Sequence, residues 1–90
     1  MPTVRIPTQM RTLTGGAPTL EVEGSTVGEV LHALAAAHER LGAKLFDETG
    51  GVRRFVNVYV DGEDIRFADG LDTKVTSGQT VSLLPAVAGG

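Results

Sequence analysis

The chain has 90 residues, a formal net charge of −3 and no cysteine. The length fits one small domain, and the lack of cysteine excludes a disulfide framework, thiolate metal sites and thiol or persulfide chemistry on the chain itself. Two lysines and six arginines form no dense basic block, which argues against nucleic acid as the main partner; with no basic-then-apolar leader and no membrane-length apolar run, a cytoplasmic location without a membrane partner is the expectation.

Thr3-Val4-Arg5-Ile6 alternates, with Val4 and Ile6 on one face, and Leu20-Glu21-Val22-Glu23 alternates again after the turn signal Gly15-Gly16. This predicts a β-hairpin over about residues 3–23 with a mobile tip near Thr12 to Ala17. Thr26 with Glu29 forms a capping box. Val27, Val30, Leu31, Leu34, His38 and Leu41 then recur at helical spacing. The spacing predicts a helix over 27–41, ended by Gly42 at its C′ position.

Leu45 and Phe46 read as a plug under a loop, and Asp47 to Arg53 as a polar connection. The run from Phe55 to Val60 predicts a strand, with Val56, Val58 and Val60 on one face and Phe55, Asn57 and Tyr59 on the other. Asp61-Gly62 is a tight-turn dipeptide, and a short strand around Asp64-Ile65-Arg66 is expected after it. Residues 67–77 read as irregular, anchored by Leu71 and Val75. Ser77-Gly78 turns into a last strand over 80–84, with Val81 and Leu83 inward and Ser82 and Leu84 outward.

The order β-β-α-β-β-β gives an α+β domain, a β-grasp plan with one main helix on a mixed sheet of four to five strands. One helix covers one sheet face. Phe55, Tyr59 and Leu84 are expected on the other, where they form either a docking patch or ordinary cross-strand pairs. Pro85 has no N–H with which to continue a ladder, so it either ends the strand or also aims the residues beyond it.

Residues 1–85 read as the domain and 86–90, Ala86-Val87-Ala88-Gly89-Gly90, as a flexible tail. A glycine pair packs nothing and loses much entropy on ordering. The tail is either a frayed end or a presented carboxylate. In the second reading a partner's narrow channel closes around the backbone of Val87, Ala88 and Gly89 and reaches the carboxyl carbon of Gly90. Five residues at about 3.3 Å each reach on the order of 16 Å.

Other candidates are weak. His38 sits on the apolar stripe as a packed histidine and His32 off it as a solvated one. Asp61, Glu63 and Asp64 lack the full calcium-loop pattern and read as a solvated hairpin, as Arg53-Arg54 reads as a solvated pair. Gly15-Gly16 opens no helix and is no phosphate loop. With no serine–histidine–acid or paired-carboxylate set, no catalytic residue and no bound cofactor or metal is expected on this chain.

Two stretches carry a family resemblance: Arg54-Phe55-Val56-Asn57-Val58-Tyr59-Val60-Asp61-Gly62-Glu63-Asp64-Ile65-Arg66-Phe67, and Leu84-Pro85-Ala86-Val87-Ala88-Gly89-Gly90. With the β-grasp order, they resemble the ubiquitin-like sulfur carriers of the MoaD/ThiS family, and within it the actinobacterial cysteine-biosynthesis carriers, the CysO group. Molybdopterin synthase small subunits usually carry Pro-Pro and Gly-Asp where this chain has Pro85-Ala86 and Gly78-Gln79.

The resemblance implies a protein co-substrate rather than an enzyme. A ubiquitin-activating-like adenylyltransferase would use ATP to adenylate Gly90, and a sulfur donor would leave a thiocarboxylate there. The acceptor would be a PLP-dependent cysteine synthase using O-phosphoserine, or another sulfurtransferase, with a zinc metalloprotease releasing the product. Three other readings remain at this stage. They are the small sulfur-donating subunit of a molybdopterin synthase, a conjugating modifier whose own acceptor lysines would be Lys44 and Lys74, and a plain interaction module.

Overall fold

The computed structural model describes residues 1–53 and 56–85. Five strands form one mixed sheet: β1 (Thr3–Arg5), β2 (Thr19–Glu21), β3 (Val56–Val60), β4 (Glu63–Asp64) and β5 (Thr80–Pro85). Their spatial order is β2-β1-β5-β3-β4. β1 pairs antiparallel with β2 and parallel with β5, so the first and last strands lie side by side at the centre. β5 also pairs antiparallel with β3, and β3 with β4. This is the β-grasp architecture.

Two α-helices cover one sheet face: α1 (Val27–Ala37) and α2 (Glu39–Leu45). Thr26 Oγ1 accepts from the Glu29 N–H at 3.2 Å, and Glu29 Oε1 accepts from the Ser25 N–H at 2.8 Å. The capping box thus closes one residue further back than its simplest form. Val27, Val30, Leu31 and Leu34 of α1 and Leu41 and Leu45 of α2 are buried. They meet Val4, Ile6, Val56, Val58, Val60, Val81 and Leu83 from the sheet in a single core. Each such side chain contributes about 1.5–3 kcal/mol by leaving water.

The single helix over 27–41 is not what forms. The helix breaks at His38, whose φ of −134° and ψ of 84° are not helical. Gly42 is not a C′ residue but lies within α2. Its lack of a side chain serves close approach, since a Cβ there would lie 2.7 Å from the Ala35 Cβ. Small residues on both helices let α2 fold back over α1. The apolar stripe runs through the break without interruption, because Leu41 and Leu45 remain core residues on either geometry.

The hairpin forms, but its connection is not a loose tip. Residues Thr8–Thr14 make a 3-10 helix that buries Met10 and Thr14. Thr14 Oγ1 donates to the Arg11 and Ala17 carbonyls. The strand expected at Asp64-Ile65-Arg66 reduces to Glu63–Asp64, and Ile65–Phe67 coils into a 3-10 turn. Asp64 drives this change, since its Oδ1 accepts from the Arg66 N–H at 2.9 Å and bends the backbone away from the ladder. Asp61-Gly62 forms the expected tight turn, with φ of 48° at Asp61 and 89° at Gly62, the left-handed pair that a type I′ hairpin requires. Val75 is buried, and Leu71 packs half-buried on the core.

Candidate functional site

The site is built on the end of β5 and the sheet face that the helices leave open. Alternation decides which side chains reach it. Val81 and Leu83 are buried, while Ser82 is half-buried and Leu84 is 49% exposed. Ser82 is the register partner of both Tyr59 and Arg5, and Leu84 is the partner of Asn57. The open face therefore carries Arg5, Ser82 and Tyr59 in one row, with Leu84 and Asn57 beside them.

Pro85 is the last residue of β5, opposite Val56. The Thr3 N–H donates to the Gln79 carbonyl at 3.1 Å, and the Asp61 N–H donates to the Thr80 carbonyl at 2.9 Å. By alternation, residues 79, 81, 83 and 85 direct their backbone polar groups toward β1 and residues 80, 82 and 84 toward β3. The N–H that Pro85 lacks is therefore the donor that would extend the β1 ladder. The β3–β5 pairing is untouched, and the parallel pairing with β1 stops at Ser82. Pro85 thus leaves the β3 side of the strand intact and offers no donor on the β1 side.

A groove of about 440 Å³ opens at this end of the sheet, lined by Pro7, Leu84 and Pro85 together with Arg5 and Arg11. Arg11 is held in place by its Nε–H, which donates to the Ile6 carbonyl at 3.1 Å. Arg5 is exposed and makes no ion pair among the described residues. An apolar strip flanked by cations thus borders the last described residue. Sequence reasoning did not assign the two arginines to the site. The alternation that buries Val4 already sends Arg5 to the open face, but the 3-10 helix that delivers Arg11 has no short-range signature.

The expected docking residues divide. Tyr59 is half-buried, Leu84 is exposed on the open face as anticipated, and Leu84 and Pro85 both line the groove. Phe55 lies outside the described residues, as do Val87, Ala88, Gly89 and Gly90. Lys44 and Lys74 are both exposed. His38 is half-buried at the helix break, and His32 is exposed but stacks on Phe46, with ring centroids 4.7 Å apart and planes at 9°.

The acidic hairpin is engaged within the fold. Asp61 Oδ1 accepts from the Thr80 N–H at 2.9 Å. Asp64 is buried, and its Oδ2 pairs with Arg66 Nη2 at 2.7 Å. The side-chain hydrogen bonds from Arg66, then the Arg66 backbone N–H, hold the Asp64 carboxyl below the usual aspartate range. Among the described residues no group of three or more histidine, aspartate or glutamate side chains is placed to hold a metal ion. No helix among them is long and apolar enough to cross a membrane.

The model of the ThiS family matches residues 4–90. The chain belongs to the ThiS family. It is 44% identical over 90 residues to the sulfur carrier protein CysO of Mycobacterium tuberculosis, covering 98% of this chain and 97% of that one. The crystal structure of the Amycolatopsis orientalis BexX/CysO complex contains a chain with a TM-score of 0.90 and 46% identity, covered fully in both directions. A further relative is the small archaeal modifier protein 3 of Haloferax volcanii, 38% identical over 68 residues, which cover 76% of this chain and 73% of the modifier. The two CysO likenesses span 98% and 100% of this ThiS-family chain, not a single motif.

Proposed function

We propose that this chain is a sulfur carrier that holds its sulfur on Gly90. The observation that carries the reading is the 44% identity to the CysO sulfur carrier over 98% of the chain. The cation-flanked apolar groove beside Pro85 supports it, because the residues that follow would leave the domain next to a surface fit for docking.

The chemistry follows from the carboxylate. An α-carboxyl has a pKa near 3.5, so it is ionised and a poor electrophile at neutral pH. An activating partner would let a Gly90 carboxylate oxygen attack the α-phosphorus of ATP, which forms an acyl-adenylate and releases pyrophosphate. A sulfide-level donor then attacks the acyl carbon, and AMP leaves as that bond breaks. The product is a terminal thiocarboxylate, a sulfur nucleophile on a chain without cysteine. In the cysteine branch a PLP-dependent partner would supply the carbon acceptor for this sulfur from O-phosphoserine, with phosphate as the leaving group. An S-to-N acyl shift would then leave cysteine as an amide on Gly90, and hydrolysis of that amide by a zinc metalloprotease, with one water consumed, would free cysteine and restore the Gly90 carboxylate. The chain is consumed and regenerated as a co-substrate.

The test is intact-mass analysis of the protein purified from its native host, alkylated before analysis, with fragmentation of the peptide that carries Gly90. Exchange of one oxygen for sulfur at Gly90 is the expected result. Alkylation separates it from oxidation of Met1 or Met10, which changes the mass almost equally. Failure of a cognate activating enzyme to adenylate Gly90, together with an unmodified Gly90 in the host, overturns the reading. A second reading, conjugation to target lysines, is favoured by the 38% identity to small archaeal modifier protein 3. Higher-mass conjugates that disappear on deletion of Gly90 would distinguish it.

A further inference from the structure

The outer edge of β2 carries unused backbone groups. The Val22 N–H donates to the Pro2 carbonyl at 3.0 Å, and the Ile6 N–H donates to the Pro18 carbonyl at 2.8 Å. Leu20 pairs with Val4 midway between them. The even-numbered residues of this segment therefore turn their backbone polar groups toward β1, and Thr19 and Glu21 turn theirs away from it. Among the described residues β1 is the one neighbour of β2 in the sheet. Thr19 and Glu21 thus offer two N–H donors and two C=O acceptors to an incoming extended chain.

A groove of about 230 Å³ follows the same edge between β2 and α1, with Met1, Leu20, Ala33 and Ala37 as its apolar lining and Glu21 and Glu23 at its rim. Ala33 and Ala37 lie one helical turn apart, and their short side chains leave the space open. Met1 is 62% exposed over it. The glutamates define the occupant. Both are exposed, and two copies pairing edge to edge would crowd both pairs of glutamates into one short ladder. A cationic partner meets the opposite situation.

We propose that the β2 edge is a strand-addition site for an extended segment of a partner protein in which apolar and basic residues alternate. Residues directly opposite one another in a sheet share a face. The added residue opposite Leu20 therefore points into the groove and is apolar. Those opposite Thr19, Glu21 and Glu23 point to the open face, where lysine or arginine meets Glu21 and Glu23. β1 separates this edge from β5, so the segment binds while the Pro85 end is engaged elsewhere. The inference stands independently of the sulfur-carrier reading.

The probe is a synthetic peptide of alternating lysine and valine, added to the isotope-labelled full chain, with amide hydrogen exchange and binding affinity as readouts. The expected result is slowed exchange at the Thr19 and Glu21 amides. Exchanging both charges, Glu21→Lys with Glu23→Lys, weakens binding about tenfold, the sum of several exposed pairs turned from attraction to repulsion. The same variant gains affinity for a peptide of alternating glutamate and valine. Thr19→Pro removes an outward N–H while leaving the β1 ladder whole, and it lowers affinity without changing Tm. If that variant fails to fold, the charge exchange still decides. No binding at about 1 mM peptide, protection elsewhere on the chain, or equal affinity after charge exchange overturns the proposal. So does self-association of the unmodified chain through the same amides, which would make a second copy the occupant.

Discussion

Gly42 of α2 rests against Ala35 of α1 with no room for a methyl group: a Cβ at Gly42 would lie 2.7 Å from the Ala35 Cβ and 3.2 Å from its Cα. Neither atom is the far end of a flexible side chain, so one helix has to shift to admit it. Two opposing effects act on Gly42→Ala. Helix propensity favours alanine by about 1 kcal/mol, and overpacking costs about 1–3 kcal/mol. The expected outcome is a net loss of about 1 kcal/mol, read as a fall in Tm of a few degrees. Adding Ala35→Gly should recover most of the packing loss, and an unchanged Tm in the single variant would refute the contact.

That contact also marks where the sequence stops being legible. The strands were readable because Val4, Val56, Val58, Val60, Val81 and Leu83 alternate with polar or exposed neighbours, and all of them are buried. The capping box at Thr26 and Glu29 was readable for the same local reason. The break at His38 was not, since Val27 through Leu45 keep one apolar stripe across it. It depends on a contact between positions 35 and 42 that no single helix would make. Likewise Asp64-Ile65-Arg66 has strand composition, and only the Asp64–Arg66 hydrogen bonds turn it aside. At the site, Leu84 and Pro85 were legible from alternation and from the missing proline donor. Arg11 was not, because a 3-10 helix over Thr8–Thr14 brings it to the groove from a segment that reads as loop.

The Asp64–Arg66 pair makes stability depend on pH in a definite direction. Its hydrogen bonds lower the Asp64 pKa in the folded chain. A carboxyl depressed on folding contributes stability above its unfolded value, near 3.9, and loses it as pH falls through the folded value. Asp47 behaves in the same sense, lowered first by its side-chain hydrogen bond with Thr49. Asp64→Asn should therefore lower Tm at neutral pH and flatten the acid limb of the Tm profile below about pH 4. The remaining slope should respond to Asp47→Asn. A profile in Asp64→Asn that parallels the parent through this range would show that the pair contributes nothing.

Leu84 is exposed on the open face beside the groove, so its replacement tests docking with little effect on the core. Leu84→Asp should raise the KM for adenylation by the activating partner about tenfold or more, as for a central apolar contact. Its Tm should stay close to that of the parent. Arg5→Glu, at the cationic rim, should act more through association rate and should lose its effect in high salt. Equal KM values for Leu84→Asp and parent would place docking on a different surface.

Removal of Gly90 separates the carrier from a plain interaction module. Among the described residues, the core is closed and the β3–β5 ladder runs to Pro85. Deleting Gly90 should therefore leave Tm unchanged while abolishing adenylation and thiocarboxylate formation, since the new terminal carboxylate, on Gly89, stops about 3.3 Å short of the activating site. Gly89→Val probes the approach alone. It keeps a carboxylate of ordinary reactivity on Gly90, but it puts a branched side chain where the partner's channel has to close around the backbone. Adenylation should fall by orders of magnitude in this variant, with binding through the open face retained. Normal adenylation of Gly89→Val would show that the channel is wide and that the glycine is not needed for access. Normal sulfur transfer by the Gly90 deletion would show that a carboxylate on Gly89, one residue short, serves equally well and would remove Gly90 itself from the mechanism.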